Sequence, residues 1–116
     1  MSYKEQFIWN RSIDLAVNCY LLTSQFPDSE LYGLTHQIRC SAVSVASNIA
    51  EGYGRRSKDE YIHFLHISLG SLRELDTQLI IAQKVKLADE KLFTPVTNEV
   101  EEMQKIMVAS INKLKT

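Results

Sequence analysis

Apolar residues recur along this chain at steps of three and four, the spacing that returns to one face of an α-helix. The first series, Trp9, Ile13, Val17, Tyr20 and Leu21, predicts a helix from about Lys4 to Gln25. Phe26-Pro27-Asp28 ends it, because proline pushes the residue before it out of the helical region. Asp28 or Ser29 can then cap a second helix. That helix carries Leu31, Leu34, Ile38, Ala42, Val45 and Ile49, interleaved with Ser41, Ser44, Ala46, Ser47 and Ala50. So many small side chains allow a neighbouring helix to approach closely. Its end is expected near Glu51-Gly52-Tyr53-Gly54, where either glycine can take the left-handed conformation.

Ser57-Lys58-Asp59-Glu60 reads as a capping box, with an acidic first turn that suits the helix dipole. The third helix follows with Tyr61, Leu65, Leu69, Leu72, Leu75 and Leu79 on one stripe, and should reach about Lys84. Lys84 and Lys86 are then well placed for its C-terminal carbonyls. For the last helix two starts stay open. It begins at Asp89 and bends at Pro95, or it is capped by Thr94 with Pro95 in its first turn. The first is the working expectation. Val96, Val100, Met103, Met107, Ile111 and Leu114 continue it at bundle spacing. Four amphipathic helices on short connections predict an all-α fold, an up-down antiparallel four-helix bundle.

Composition narrows this further. At 116 residues the chain suits one domain, residues 1–116, with one core. Its 45% hydrophobic content argues against disorder, and four glycines and two prolines are too few for a strand-and-turn fold. Thirteen basic and fourteen acidic side chains nearly cancel, so bulk charge does not draw this protein to nucleic acid. No secretion signal and no apolar run of roughly 20 residues is visible, which predicts a cytoplasmic protein without a membrane partner. Cys19 and Cys40 are widely separated and read as small buried hydrophobes.

No catalytic constellation stands out among the chemistry-bearing residues. Among His36, His63 and His66, only His63 follows a Glu-x-x-His pattern, and its Glu60 belongs to the capping box. A metal-dependent bundle using His63 and His66 is the enzyme-class reading, and it lacks the remaining ligands. His36 and Cys40 share a helical face, with no third group to orient the histidine as a base. The expectation is a non-enzyme with no cofactor and no metal.

Three binding features remain. Arg55, Arg56 and Lys58 form the one basic knot and are the candidate nucleic-acid contact. Ile67, Gly70 and Ile81 lie opposite the leucine stripe of the third helix and are the candidate oligomer interface. Asn48, Glu51, Glu74 and Gln78, with Arg73 and Asp76 nearby, are the candidate polar network between the second and third helices.

The stretch Gln37-Ile38-Arg39, then Ser44-Val45-Ala46-Ser47-Asn48-Ile49-Ala50-Glu51-Gly52, resembles the four-helix-bundle proteins encoded by intervening sequences of bacterial 23S rRNA genes. Gly70-Ser71-Leu72-Arg73-Glu74-Leu75-Asp76-Thr77-Gln78-Leu79 and the Phe26-Pro27 and Leu31-Tyr32-Gly33-Leu34 segments are similar to that family as well. The resemblance implies a bundle assembling into ring-like pentamers, with no established enzymatic activity. It extends to accessory proteins of diversity-generating retroelements, which bind nucleic acid and a reverse transcriptase through a basic pentamer surface. This chain is nearly neutral by comparison. The expected partners are further copies of itself, with RNA or a protein in addition. A protein-binding adaptor with no nucleic-acid role is the alternative.

Overall fold

A computed structural model describes residues 3–116, apart from the side chain of Glu5. Four helices make up the fold: α1 (Phe7–Thr23), α2 (Leu34–Tyr53), α3 (Lys58–Lys84) and α4 (Glu90–Lys115). Short 3₁₀ turns at Tyr3–Glu5 and Asp28–Glu30 precede α1 and α2. Consecutive helices pack on one another, and α1 closes the square against α4. Contacts run in opposite senses along each pair. Ser41 reaches Glu74, Ser44 reaches Ser71, and the Val45 carbonyl accepts from Ser68, so ascending α2 descends α3. Arg11–Glu102 and Asn18–Glu99 show the same for α1 and α4. The result is an all-α, up-down antiparallel four-helix bundle measuring 43 × 22 × 20 Å.

All four helices feed one core. Leu15 and Cys19 meet Ile38, Ala42, Val45 and Ile49, the leucines of α3 from Leu65 to Leu79, and Phe93, Val100, Met103 and Met107. Each fully buried large side chain contributes roughly 1.5–3 kcal/mol. The Phe26 and Phe93 rings, 5.8 Å apart, close one end, and the Tyr53 and Tyr61 rings, 6.1 Å apart, close the other. No helix among the described residues is long and apolar enough to cross a membrane.

Several boundaries and faces differ from the sequence reading. In α1 the buried line is Ile8, Ser12, Leu15, Cys19 and Leu22, while Val17, Tyr20 and Leu21 face solvent. Ser12 disguised the true line as polar; its hydroxyl bonds the Trp9 carbonyl at 2.6 Å and can be buried. Neither Asp28 nor Ser29 caps α2, because those residues form the 3₁₀ turn. The helix starts one turn later behind Gly33, and the Glu30 carboxylate accepts from the Leu34 N–H at 3.2 Å.

Neither glycine at the end of α2 is left-handed. Gly52 is buried inside the helix for a different reason. A Cβ there would stand 2.6 Å from the Phe64 Cβ and 3.1 Å from the Tyr61 ring, so α3 crosses at backbone distance. The left-handed residue is Lys86, at φ 61°. With Lys86 N–H on the Gln83 carbonyl and Leu87 N–H on that of Ala82, it ends α3 in a Schellman motif. Asp89 caps α4 through a 2.9 Å bond from the Lys91 N–H, and the helix continues through Pro95 in its second turn.

Candidate functional site

The basic knot sits where α2 hands over to α3. Gly52 brings the two helices together, and the Ser57 hydroxyl accepts from the Glu60 N–H at 3.1 Å to start α3. The three predicted cations are not equivalent. Arg55 is paired with Glu51 one helical turn earlier and lies over the Phe64 ring, 4.8 Å from its centre. Arg56 and Lys58 are exposed and make no ion pair among the described residues. Asp59 and Glu60, in the first turn of α3, stand beside them. Antiparallel topology also brings the C-terminal turn of α4, with Lys113 and Lys115, to this end of the bundle. Sequence separation hid those two lysines.

Of the four predicted network residues, three lie along the α2–α3 seam. Ser41 donates to Glu74 at 3.0 Å, and Gln78 reaches the same carboxylate oxygen at 3.4 Å. Asn48 donates to the Ser44 carbonyl and hydroxyl at 2.9 and 3.0 Å, and Ser44 meets Ser71 at 2.9 Å. Glu51 does not join; it is turned to Arg55. Ser41, Ser44 and Ser71 are members that the sequence reading missed. Serines at helical spacing on two facing helices were the available signal.

Ile67, Gly70 and Ile81 share the outward face of α3. Ile67 and Ile81 remain 39% and 46% exposed, and Val85 continues the face at 58%. Among the described residues, and apart from Gly70's chain neighbours and the backbone of its own helical turn, no atom lies within 4 Å of the position a Gly70 Cβ would take. On the outside of α2, Val43 is 43% exposed.

The histidines do not converge. His63 packs edge-on against Phe64, 5.6 Å between ring centres, and His66 is exposed. Among the described residues, no group of three or more His, Cys, Asp or Glu could hold a metal. His36 lies against Cys40, which is exposed rather than buried as expected. Its position on the outer side of α2 is the reason. Cys19 is fully buried, and burial pushes its thiol up to about 12, with Glu99 adding to the effect. Glu99 itself sits in the α1–α4 seam. Burial raises its carboxyl above the usual value, the Asn18 amide and Arg11 pull it back, and Asp14 and Glu102 push it further up.

Comparison with known proteins agrees with this architecture. A crystal structure of a protein of unknown function from the S23 ribosomal protein family, from Bacteroides thetaiotaomicron, superimposes with a TM-score of 0.83. The match covers 90% of this chain and 97% of that one at 21% identity, which shows a shared fold. No curated protein matches the chain. The sequence pattern of 23S rRNA-intervening sequence proteins matches residues 4–109, from the turn before α1 to the last turns of α4. The chain belongs to the 23S rRNA-intervening sequence protein family.

Proposed function

We propose that this protein is a cytoplasmic, non-enzymatic bundle that works as a homo-oligomer, a pentamer by resemblance to its family, and contacts RNA phosphates through Arg55, Arg56 and Lys58. The observation that carries the reading is Gly70. A glycine in the middle of an exposed helix costs about 1 kcal/mol relative to alanine. Among the described residues of its own chain, no side chain or neighbouring helix approaches closely enough to require the missing Cβ. A requirement from outside accounts for it: a second copy that approaches the α3 face closely, with Ile67 and Ile81 as apolar flanks. The Asn48–Ser44–Ser71 and Ser41–Glu74–Gln78 bonds hold α2 and α3 in register beneath that face.

Assembly matters for RNA because one subunit is too weakly charged. Glu51 and Phe64 already engage Arg55, which leaves Arg56 and Lys58 as each subunit's open cations at the loop. A ring repeats them in every copy and gains by avidity. Light scattering at micromolar concentration is expected to give a multiple of the 13.3 kDa chain. Binding to a mixed RNA pool is expected to be weakly sequence-selective and to fall steeply with salt. Replacing Arg55, Arg56 and Lys58 together by alanine should abolish it. A strictly monomeric protein defeats the assembly reading. RNA binding retained by the folded triple variant defeats the knot as the contact, and no binding by the wild type leaves the protein-binding adaptor. The Glu51–Arg55 pair and the near-zero net charge are what that second reading rests on.

A further inference from the structure

The seam between α1 and α4 is the thinnest of the four in the bundle, and a groove opens along it. Asn18, Leu21 and Leu22 of α1 line it opposite Leu92, Val96 and Glu99 of α4. Leu22 and Val96 are buried and form the floor, while Leu21 and Leu92 stand exposed on either side. The lining runs from Asn18 to Gln25 and from Leu92 to Glu99, so the trough is roughly 10 Å long at the helical rise of about 1.5 Å per residue. Its volume of about 460 Å³ falls among small-ligand sites, about 300–1,000 Å³. Apolar walls with a few polar groups at one end are the usual make-up of such a site.

The polar end is short of positive charge. The Asn18 amide donates to the Glu99 carboxylate only at 3.4 and 3.5 Å, beyond the usual range of about 2.7–3.2 Å. Arg11, the cation that acts on Glu99, is ion-paired with Glu102 at 3.1 Å, and no ion pair reaches Glu99 among the described residues. Asp14 and Glu102 add their own negative charge, and the neighbouring Cys19 is a neutral thiol. Three carboxylates therefore stand against one guanidinium at the head of an apolar trough. We propose that this groove binds a small amphipathic cation, an alkyl or arylalkyl ammonium. Its ammonium sits on Glu99 and its hydrocarbon runs along Leu22 and Val96 between Leu21 and Leu92. The ammonium brings three donors, and the Asn18 Oδ1 is a second acceptor beside the carboxylate. Charge-assisted bonds of this kind are about twice as strong as neutral ones. A chain of about six carbons uses the roughly 10 Å of trough.

The groove shares no residue with the basic knot or the outward face of α3, so it is tested apart from RNA binding and assembly. Hexylammonium is the probe, titrated by calorimetry against the whole protein at pH 7, with hexanol and hexanoate as controls of similar chain length. One hexylammonium per chain is expected, bound roughly tenfold tighter than hexanol, as one charge-assisted contact gives, with hexanoate excluded. Shortening the chain to butylammonium should weaken binding by about two- to fourfold per methylene lost. Glu99→Gln should erase the preference for hexylammonium over hexanol. Leu21→Ser should weaken both ligands and leave the preference intact, and its position outside the core keeps the fold whole. Lowering the pH until Glu99 protonates should weaken hexylammonium and leave hexanol unmoved, a result that needs no variant. Equal affinity of the wild type for hexylammonium and hexanol, no binding of either, or a preference kept by folded Glu99→Gln overturns the proposal. Tighter binding of Nα-acetyl-lysine methylamide than of hexylammonium overturns the free amine in favour of a protein side chain.

Discussion

Individual side chains in this bundle are tuned by the seam in which they lie, and Glu99 shows the effect most directly. Its carboxyl is raised above the ordinary value of 4.5, first by burial and then by Asp14 and Glu102, against the Asn18 hydrogen bond and Arg11. A carboxyl whose folded value exceeds its unfolded value binds protons more readily in the native state. Between those two values stability therefore falls as pH rises, and above the folded value the ionised group opposes folding. Glu99→Gln keeps an oxygen to accept from Asn18 and removes the charge. The variant is expected to have a higher denaturation midpoint than the wild type at pH 7. The difference should shrink as pH drops through the folded value and vanish below about 4.5. Equal midpoints at pH 7 would mean that solvent already relieves the seam. Sequence gave no sign of this group, since Glu99 looks like one more acidic residue on an amphipathic helix.

Between elements, the decisive contact is the crossing of α2 and α3 at Gly52. A methyl group there meets the Phe64 Cβ at 2.6 Å, and a Cβ cannot swing aside as the end of a long side chain can. Overpacking of this kind costs about 1–3 kcal/mol. The gain in helix propensity from glycine to alanine, at most about 1 kcal/mol, offsets part of it. Gly52→Ala is expected to lower the chemical denaturation midpoint at fixed protein concentration, and Gly52→Val to lower it more. A midpoint that rises with alanine would show that the helices separate at little cost. The same glycine marks how far sequence reaches at this scale. The leucine stripe of α3, the apolar line of α4 and the Ser57 cap were all legible, because strong periodicity and cap chemistry are local signals. The buried line of α1 was not, because two stripes compete there and Ser12 interrupts the one that packs. Gly52 was legible as special but for the wrong reason: a glycine near a helix end suggests a left-handed cap, and only the neighbouring helix shows otherwise. Lys86 is the converse, a left-handed residue with no glycine to announce it.

For the molecule as a whole, the outward face of α3 is where assembly is read, and Gly70 allows two effects there to be separated by sign. Within one subunit a Gly70 Cβ would enter open space, so Gly70→Ala should only gain helix propensity, by up to about 1 kcal/mol. Across an interface of closely approaching helices the same methyl should clash, as Gly52 would against Phe64. The substitution is therefore expected to stabilise the separated subunit and weaken the assembly. Denaturation at concentrations low enough to dissociate the wild type reads the first effect. Sedimentation across a concentration series reads the second, as a shift of the mass transition to higher concentration. The two must be measured apart, because assembly itself raises apparent stability in proportion to how tightly the folded copies bind. Stabilisation with unchanged assembly would place the interface elsewhere, with Val43 and the exposed side of α2 as the next face to test. Ile67→Glu supplies a control from the same face. It adds a charge at a position already 39% exposed, which one subunit tolerates and a closed apolar interface does not.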